Sequence, residues 1–327
     1  MSKIINYGIV GTGHLGKYHI QQTLNIKHIN LIGCYDINSD LSKKIGFKFK
    51  IKSFNSLNEL LKECDAISIA TPASHHYKVA VQALKYNCHL FIEKPITNNI
   101  KDAQSLIALS KQNHKLIQVG HIERFNPAYK FLIQSKIKPK FIESHRLSPF
   151  NVRGTDVNVI LDLMIHDIDL IINLIGAPIK NIFANGVSHL SKSIDLANVR
   201  LEFKTGCVAN LTASRLSNSP MRKMRVFSQN KYYSLDFNKY IVETYNTTSL
   251  QDNNKLVNHN YIKDVFTSNN KIIQYYSNQL NATNALYEEL DAFIKSIVNN
   301  SPVEVSAHDA ALALKVALKI EKKISEV

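Results

Sequence analysis

The spacing of apolar residues divides the chain into two regimes. In the first third, short runs rich in Ile, Val and Leu alternate with longer amphipathic stretches. "IINYGIV" (4–10), "LIGCYD" (31–36), "AISIA" (66–70), "HLFIE" (89–93) and "KLIQVG" (115–120) read as strands. Leu15–Leu24, "VAVQALKYN" (79–87) and "KDAQSLIALSKQ" (101–112) read as helices between them. Strands alternating with helices of this length predict an α/β fold with a doubly wound parallel sheet, in which ligands sit at the carboxyl ends of the strands. After residue 180 the period falls to two, in "VRLEFKTGCVANLTASRL" (199–216) and "RKMRVFSQNKYYSLDF" (222–237), which predicts strands with one buried face. The Asn-rich region 246–284 is polar and reads as a loop, a subunit contact or a flap. Ser306 and Asp309 have the spacing of a capping box that opens the last helix.

One stretch breaks the usual division between apolar interior and polar surface. "VILDLMIHDIDLIINLIG" (159–176) is aliphatic enough for a buried helix, here placed over 157–174, yet Asp162, His166, Asp169 and Asn173 interrupt it. They stand at i, i+4, i+7 and i+11, so on a helix they form one polar stripe. Buried carboxylates are rare unless paired. Asp162 and His166 are therefore either a structural pair or an acid/base pair facing a ligand. Asp169 reads as structural, and Asp167 faces elsewhere with no assigned role.

The strand at 4–10 runs directly into "GTGHLG", with Gly11, Gly13 and Gly16 at the G-x-G-x-x-G spacing, and then into a helix. In that context Gly11 permits the tight turn, Gly13 lets a pyrophosphate approach the backbone and Gly16 lets the helix pack on the strand. His14 and Leu15 open the helix whose free N–H groups face the phosphates. Asp36 ends the second strand about 20 residues beyond the last glycine, where a carboxylate accepts from the adenosine ribose hydroxyls and repels a 2′-phosphate. The expected cofactor is NAD rather than NADP, although Lys43 and Lys44 lie nearby in sequence. Two further strand ends carry chemistry: "TPASHHY" (71–77) and "EKPIT" (93–97).

Composition narrows the function without naming it. The 327 residues suffice for two domains, and 45% hydrophobic with 20% charged residues is ordinary for a globular chain. The net charge of +14 is spread along the sequence rather than clustered, and no nucleic-acid-binding motif accompanies it, so nucleic acid is not an expected partner. No uninterrupted apolar run of about 18 residues exists and no membrane partner is expected. The four cysteines lack metal-ligand or disulfide spacing; a reducing cytoplasm and no metal are expected.

Gly11-x-Gly13-x-x-Gly16, Thr71-Pro72 with His76 after it, Glu93-Lys94-Pro95, Asp162-x-x-x-His166 and the C-terminal "LYEELDAFIKSIVNNSPVEVSAHDAALAL" together resemble the Gfo/Idh/MocA oxidoreductase family. That resemblance implies a Rossmann NAD-binding domain, placed at 1–122. It also implies a substrate-binding and oligomerisation domain at 123–327, built on a large, mostly antiparallel open sheet. It implies that Lys94, Asp162 and His166 surround the reacting carbinol. Lys94 would polarise the hydroxyl, His166 would take its proton, and Asp162 would orient the imidazole or the substrate. Thr71, Pro72, His76, Glu93 and Lys94 would border the nicotinamide end of the cofactor, and His75 would be solvated. Within the family, "VGHIERFNPA" (119–128), "DVNVILDLMIHDIDLI" (156–171) and "MRKMRVF" (221–227) are similar to a subgroup that oxidises the C3 hydroxyl of UDP-N-acetylhexosamines. A glycosidase that uses NAD transiently, a dehydrogenase of inositols or free sugars, and a regulator on the same scaffold are the alternatives.

Further candidates concern the substrate, expected to be a sugar nucleotide. Arg124 is the preferred member of the His121, Glu123, Arg124 group that follows a strand end. Arg146, Arg153, Arg222, Lys223 and Arg225 could hold a diphosphate, since guanidinium groups suit bidentate phosphate contacts. The usual fate of such residues is the solvated face of a strand. An open sheet exposes surface that self-association would cover, so a homodimer or homotetramer is expected.

Overall fold

The computed structural model describes residues 4–151, 157–249, 261–266 and 271–326. The chain forms two units, Met1–Phe125 with Asn284–Lys315 and Asn126–Thr283 with Val316–Val327.

The first unit runs β1 (Ile5–Val10), α1 (His14–Thr23), β2 (Ile29–Tyr35), α2 (Ser39–Phe49), β3 (Lys52–Ser53), α3 (Leu57–Glu63), β4 (Ala66–Ile69), α4 (Ala73–Lys85), β5 (His89–Glu93), α5 (Ile100–Gln112) and β6 (Ile117–Gly120), closed by a 3-10 turn at Ile122–Phe125. Among the described residues its six strands lie in the order β3-β2-β1-β4-β5-β6, each pair parallel. The strands at the centre are buried on both sides, which is why they read as unbroken apolar runs. Side-chain oxygens of Asn38, Ser56 and Asn99 cap α2, α3 and α5. The β1–α1 turn has no such cap.

The second unit contains α6 (Pro127–Gln134), β7 (Phe141–Leu147), a π-helical turn (Ile160–Met164) leading into α7 (Ile165–Ile175), and β8 (Ile179–Val187) through β9 (Leu196–Phe203), β10 (Val208–Ser214), β11 (Met221–Phe227), β12 (Lys231–Asp236), β13 (Ile241–Ser249), β14 (Tyr261–Phe266) and β15 (Lys271–Gln279). Nine strands, counted among the described residues, follow the order β14-β15-β13-β12-β11-β7-β10-β9-β8. All pairs are antiparallel except β7 with β10. Burial alternates along β7 and β9, so one face of the sheet meets the core, as the period of two predicts.

Three features differ from the sequence expectation. The chain returns to the first unit after the second, so a single boundary after residue 122 does not describe it. The reason is α8 (Ala285–Asn299): its Leu290, Phe293, Ile294 and Ile297 join Ile5, Tyr7 and Phe91 in one apolar cluster. The last helix, α9 (Ala307–Ser325), opens with the reciprocal Ser306–Asp309 box, at 3.1 Å and 3.2 Å. The Asn-rich region 246–284 is not a single loop, because β13, β14 and β15 pair across it. The helix expected over 157–174 starts with the π turn, where Asn158 Oδ1 accepts the N–H groups of Ile160 and Leu161 at 3.0 Å each. Asp162 sits inside this wider turn, which departs from the regular four-residue rise assumed for the stripe.

Candidate active site

The first unit holds a cavity of about 530 Å³ at the carboxyl ends of β1, β2 and β4. Gly11, Gly13, Asp36, Thr71 and Pro72 line it, so five of the expected cofactor contacts converge there. Each glycine of the turn has its own reason. Gly11 has φ +91°, and a Cβ there would lie 2.7 Å from the Ala70 carbonyl oxygen. A Cβ on Gly16 would lie 1.9 Å from the Gly11 oxygen, so close packing of α1 on β1 requires glycine. At Gly13 nothing lies within 4 Å of an added Cβ. That open space beside the start of α1 is the cradle a pyrophosphate needs. The helix has no side-chain cap and no acidic residue in its first turn, so its N–H groups and dipole remain for an anion.

Asp36 is held in place before any ligand arrives. Its Oδ2 accepts the Thr12 N–H at 2.6 Å and the Thr12 hydroxyl at 3.1 Å, and its Oδ1 accepts the Asn38 N–H at 2.9 Å. A carboxylate offers about four acceptor positions, so capacity remains for a ribose hydroxyl. Thr71 Oγ1, in the cavity wall, is buried with no hydrogen-bond partner among the described residues. Such an orphan fits a wall completed by a bound polar group. His14 and Leu15 are exposed on α1.

The two neighbouring histidines differ in their surroundings. His75 is exposed and lines the cavity, whereas His76 is buried and does not. His76 places Nδ1 2.9 Å from the Pro95 carbonyl oxygen and Nε2 2.9 Å from that of Thr71. It therefore ties the loop after β5 to the loop after β4. Burial pushes its pKa down, and the two carbonyl contacts only partly offset this. Lys94 lies between Glu93, the last residue of β5, and Pro95, joined to it by a cis peptide.

Glu93 is locked from below. Its Oε1 lies 2.8 Å from Nε2 of His19 on α1. Burial raises the Glu93 carboxyl, but the His19 hydrogen bond together with the neighbouring His19, Lys94 and His76 charges outweighs it and holds the group below its ordinary value. His19 escaped the sequence reading. Its one signal was its place with Gly16, Ile20 and Thr23 on the buried side of α1, a polar ring where an aliphatic residue would be usual.

In the second unit, Asp162 and His166 are half-buried on the π turn and α7. Next to His166, Asp167 is buried and paired with Arg146 of β7. Arg146 Nε donates to Oδ2 at 3.1 Å and its terminal nitrogen to Oδ1 at 2.7 Å. Arg146 thus anchors a helix instead of lying on a solvated strand face. Asp169 is buried. At the far end of the stripe, Asn173 donates to the Tyr129 hydroxyl at 2.7 Å, and that hydroxyl donates to the Leu170 carbonyl at 2.9 Å.

The substrate candidates scatter. Arg124 is buried in the 3-10 turn, 3.9 Å from Asp309 Oδ2. Arg153 lies outside the described residues. Arg225 pairs with Glu143 at 3.4 Å and Lys223 with Asp236 at 3.7 Å, while Arg222 is exposed on the same strand.

Known proteins share this arrangement. Residues 5–121 match the model of an oxidoreductase family with an NAD-binding Rossmann fold, GFO/IDH/MocA, and residues 141–233 match the C-terminal domain model of the same family. The UDP-N-acetylglucosamine 3-dehydrogenase of Acidithiobacillus ferrooxidans is 39% identical over 231 residues, 70% of this chain and 73% of that protein. Its crystal structure superposes with a TM-score of 0.88 at 32% identity, covering 99% of this chain and 98% of that one. A scyllo-inositol dehydrogenase from Lactobacillus casei with bound NAD(H) and scyllo-inositol has the same fold, with a TM-score of 0.78 at 21% identity over 99% of this chain and 98% of that one.

Proposed function

Because the chain belongs to the GFO/IDH/MocA family of NAD-binding oxidoreductases, we propose that it oxidises the C3 hydroxyl of a UDP-N-acetylhexosamine to the 3-keto sugar nucleotide. The observation that carries the substrate is the likeness to the UDP-N-acetylglucosamine 3-dehydrogenase, which extends over nearly the whole of both chains at 32% identity. Inositol dehydrogenases share the fold at lower identity.

The residues divide the work by chemistry. Gly11, Gly13 and the first turn of α1 seat the pyrophosphate, and Asp36 accepts from the adenosine ribose. Its fixed negative charge disfavours a 2′-phosphate, which makes NAD the partner. When bound, NAD⁺ supplies the hydride acceptor. Oxidation of an alcohol also requires removal of the hydroxyl proton and stabilisation of the oxygen as it gains charge. His166 is suited to the first task, since imidazole titrates near neutral pH. Lys94 supplies a cation for the second. Asp162, beside the imidazole in sequence, orients it or the sugar. Arg124 is a further candidate for holding the substrate.

A reducing compartment suits the four buried thiols. Self-association is supported by the aromatic ladder Phe141–Phe227–Tyr232–Tyr245–Tyr275, with neighbouring ring centroids 4.5 Å to 5.7 Å apart. These rings stand opposite the face on which Phe131 of α6 meets Tyr233. A homodimer or homotetramer would cover that ladder.

The test is incubation with NAD⁺ and separate UDP-sugars, inositols and free sugars, following NADH and product mass. The expected product is two mass units lighter than UDP-N-acetylglucosamine, formed with stoichiometric NADH. Turnover of inositols with no turnover of any UDP-sugar would overturn the substrate assignment.

A further inference from the structure

A buried polar chain crosses the first unit from its central strand to the residue before Lys94. The Tyr7 hydroxyl lies 2.7 Å from Ser68 Oγ, Ser68 Oγ lies 2.9 Å from His19 Nδ1, and His19 Nε2 lies 2.8 Å from Glu93 Oε1. Tyr7, Ser68 and His19 are all 0% exposed. The donors can be ordered in one direction. Tyr7 O–H donates to Ser68, Ser68 O–H donates to Nδ1, and Nε2–H donates to the carboxylate, which leaves both ring nitrogens bonded.

The carboxylate at the end of this chain has little room to move. A Cβ on Gly120, the partner of Glu93 in β6, would lie 2.9 Å from Glu93 Oε2. The His19 ring packs edge-on against Phe91, at 5.3 Å between centroids. On the other side of Lys94, His76 holds the Pro95 carbonyl. The lysine is therefore bracketed: the residue before it is tied to α1 and the residue after it to α4. Replacing such buried polar groups by apolar ones is often neutral or stabilising, so core stability alone gives a weak reason for keeping a histidine and a glutamate here.

We propose that His19 is a positioning residue for Lys94. Through Glu93 it ties the strand end that carries the lysine to the helix whose N-terminus seats the cofactor phosphates. This rests on the reading of Lys94 as the group that stabilises the reacting oxygen.

The experiment compares His19→Gln, which keeps an N–H able to reach Glu93, with His19→Leu, which fills the space without one. Three quantities are read on the full-length protein: NADH formation at saturating substrates, the NAD⁺ dissociation constant, and the rate at which acetic anhydride acetylates Lys94 without cofactor, followed by peptide mass spectrometry. Misplacement of a reacting group by about 1 Å can cost on the order of 100-fold. His19→Leu is accordingly expected to lower kcat by about 10- to 100-fold and to change Lys94 acetylation by at least about threefold, with NAD⁺ affinity within about threefold of wild type. His19→Gln should recover most of both losses, and adding Glu93→Gln to His19→Leu should cost nothing further, since the two act as one unit. If His19→Leu does not fold, His19→Asn, too short to reach Glu93, takes its place. Equal behaviour of Gln and Leu (or Asn), or unchanged acetylation of Lys94 in the folded variants, would overturn the proposal. The acetylation readout is independent of turnover, so a wrong substrate assignment would leave this result intact.

Discussion

Arg146 and Asp167 form a bidentate ion pair inside the second unit, with N···O distances of 2.7 Å and 3.1 Å and side chains only 3% and 4% exposed. The pair fastens α7 to β7 one residue away from His166. Removing one partner of such a pair leaves a buried charge uncompensated, which typically costs about 3–5 kcal/mol. Asp167→Ala is expected to lower stability by that amount in urea titrations, and the double variant Arg146→Leu/Asp167→Leu to regain much of it. A loss in the double variant equal to the sum of the singles would contradict this.

Two glycines of the β1–α1 turn, Gly13 and Gly16, should separate folding from binding. Gly13→Ala meets no protein atom, so it is expected to unfold like wild type while weakening NAD⁺ binding by about tenfold or more, since the methyl enters the phosphate seat. Gly16→Ala places a carbon 1.9 Å from a backbone oxygen and is expected to lower the melting temperature instead. Calorimetry and cofactor titration on both variants check the contrast.

Asp36 carries both a structural and a discriminating role. In Asp36→Ser the carboxylate that receives Thr12 and Asn38 is lost, together with the charge that repels a 2′-phosphate. The KM for NAD⁺ is expected to rise by about 10- to 100-fold, in line with about 1–3 kcal/mol for a lost charged hydrogen-bond acceptor. The ratio of kcat/KM for NAD⁺ over NADP⁺ should fall. Steady-state kinetics with each cofactor measures it.

Acid should unfold the protein through identifiable carboxylates. Asp195 accepts the N–H groups of His189, Leu190 and Ser191 and the Ser191 hydroxyl, at 2.7 Å to 2.9 Å. Although burial pushes the Asp195 carboxyl up, these bonds outweigh it, and the group lies far below its ordinary value. Burial also raises Glu93, and the His19 hydrogen bond together with the charges of His19, Lys94 and His76 brings it below its ordinary value. A carboxyl whose folded pKa is depressed contributes stability that is complete above its unfolded value, about 4, and is lost as pH falls through the folded value. The urea midpoint is expected to drop between about pH 5 and about pH 2, and Asp195→Asn to flatten part of that drop while costing about 1–3 kcal/mol at neutral pH.

The parts that local chemistry dictates were readable from the sequence, and the parts that depend on distant partners were not. The β1–α1 turn could be read because its glycines answer to backbone crowding within a few residues. The place of Asp36 in the cavity wall could be read because it directly follows β2, the strand after the glycine turn. His19 and Glu93 are 74 residues apart and Arg146 and Asp167 are 21 apart; no periodicity connects them. The strands β13 to β15 hid behind Asn, Ser and Thr, whose turn preference masks alternation. The return of α8 to the first unit was invisible because an amphipathic helix does not name the surface that covers it. Along the polar stripe, the π turn at Ile160–Met164 breaks the regular rise that placed Asp162 above His166.

The two residues proposed to act on the substrate have a simple signature. Lys94→Ala and His166→Ala are each expected to lower kcat by about 100-fold or more while leaving NAD⁺ affinity within about threefold. Wild-type turnover in both variants would remove these residues from the chemistry.

The most direct measurement uses UDP-N-acetylglucosamine carrying deuterium at C3. The deuterium is expected to appear at C4 of the reduced nicotinamide, one per 3-keto product, with a slower rate than the unlabelled sugar when hydride transfer limits turnover. Reduced nicotinamide without deuterium, or deuterium retained in an oxidised product, would contradict oxidation at C3.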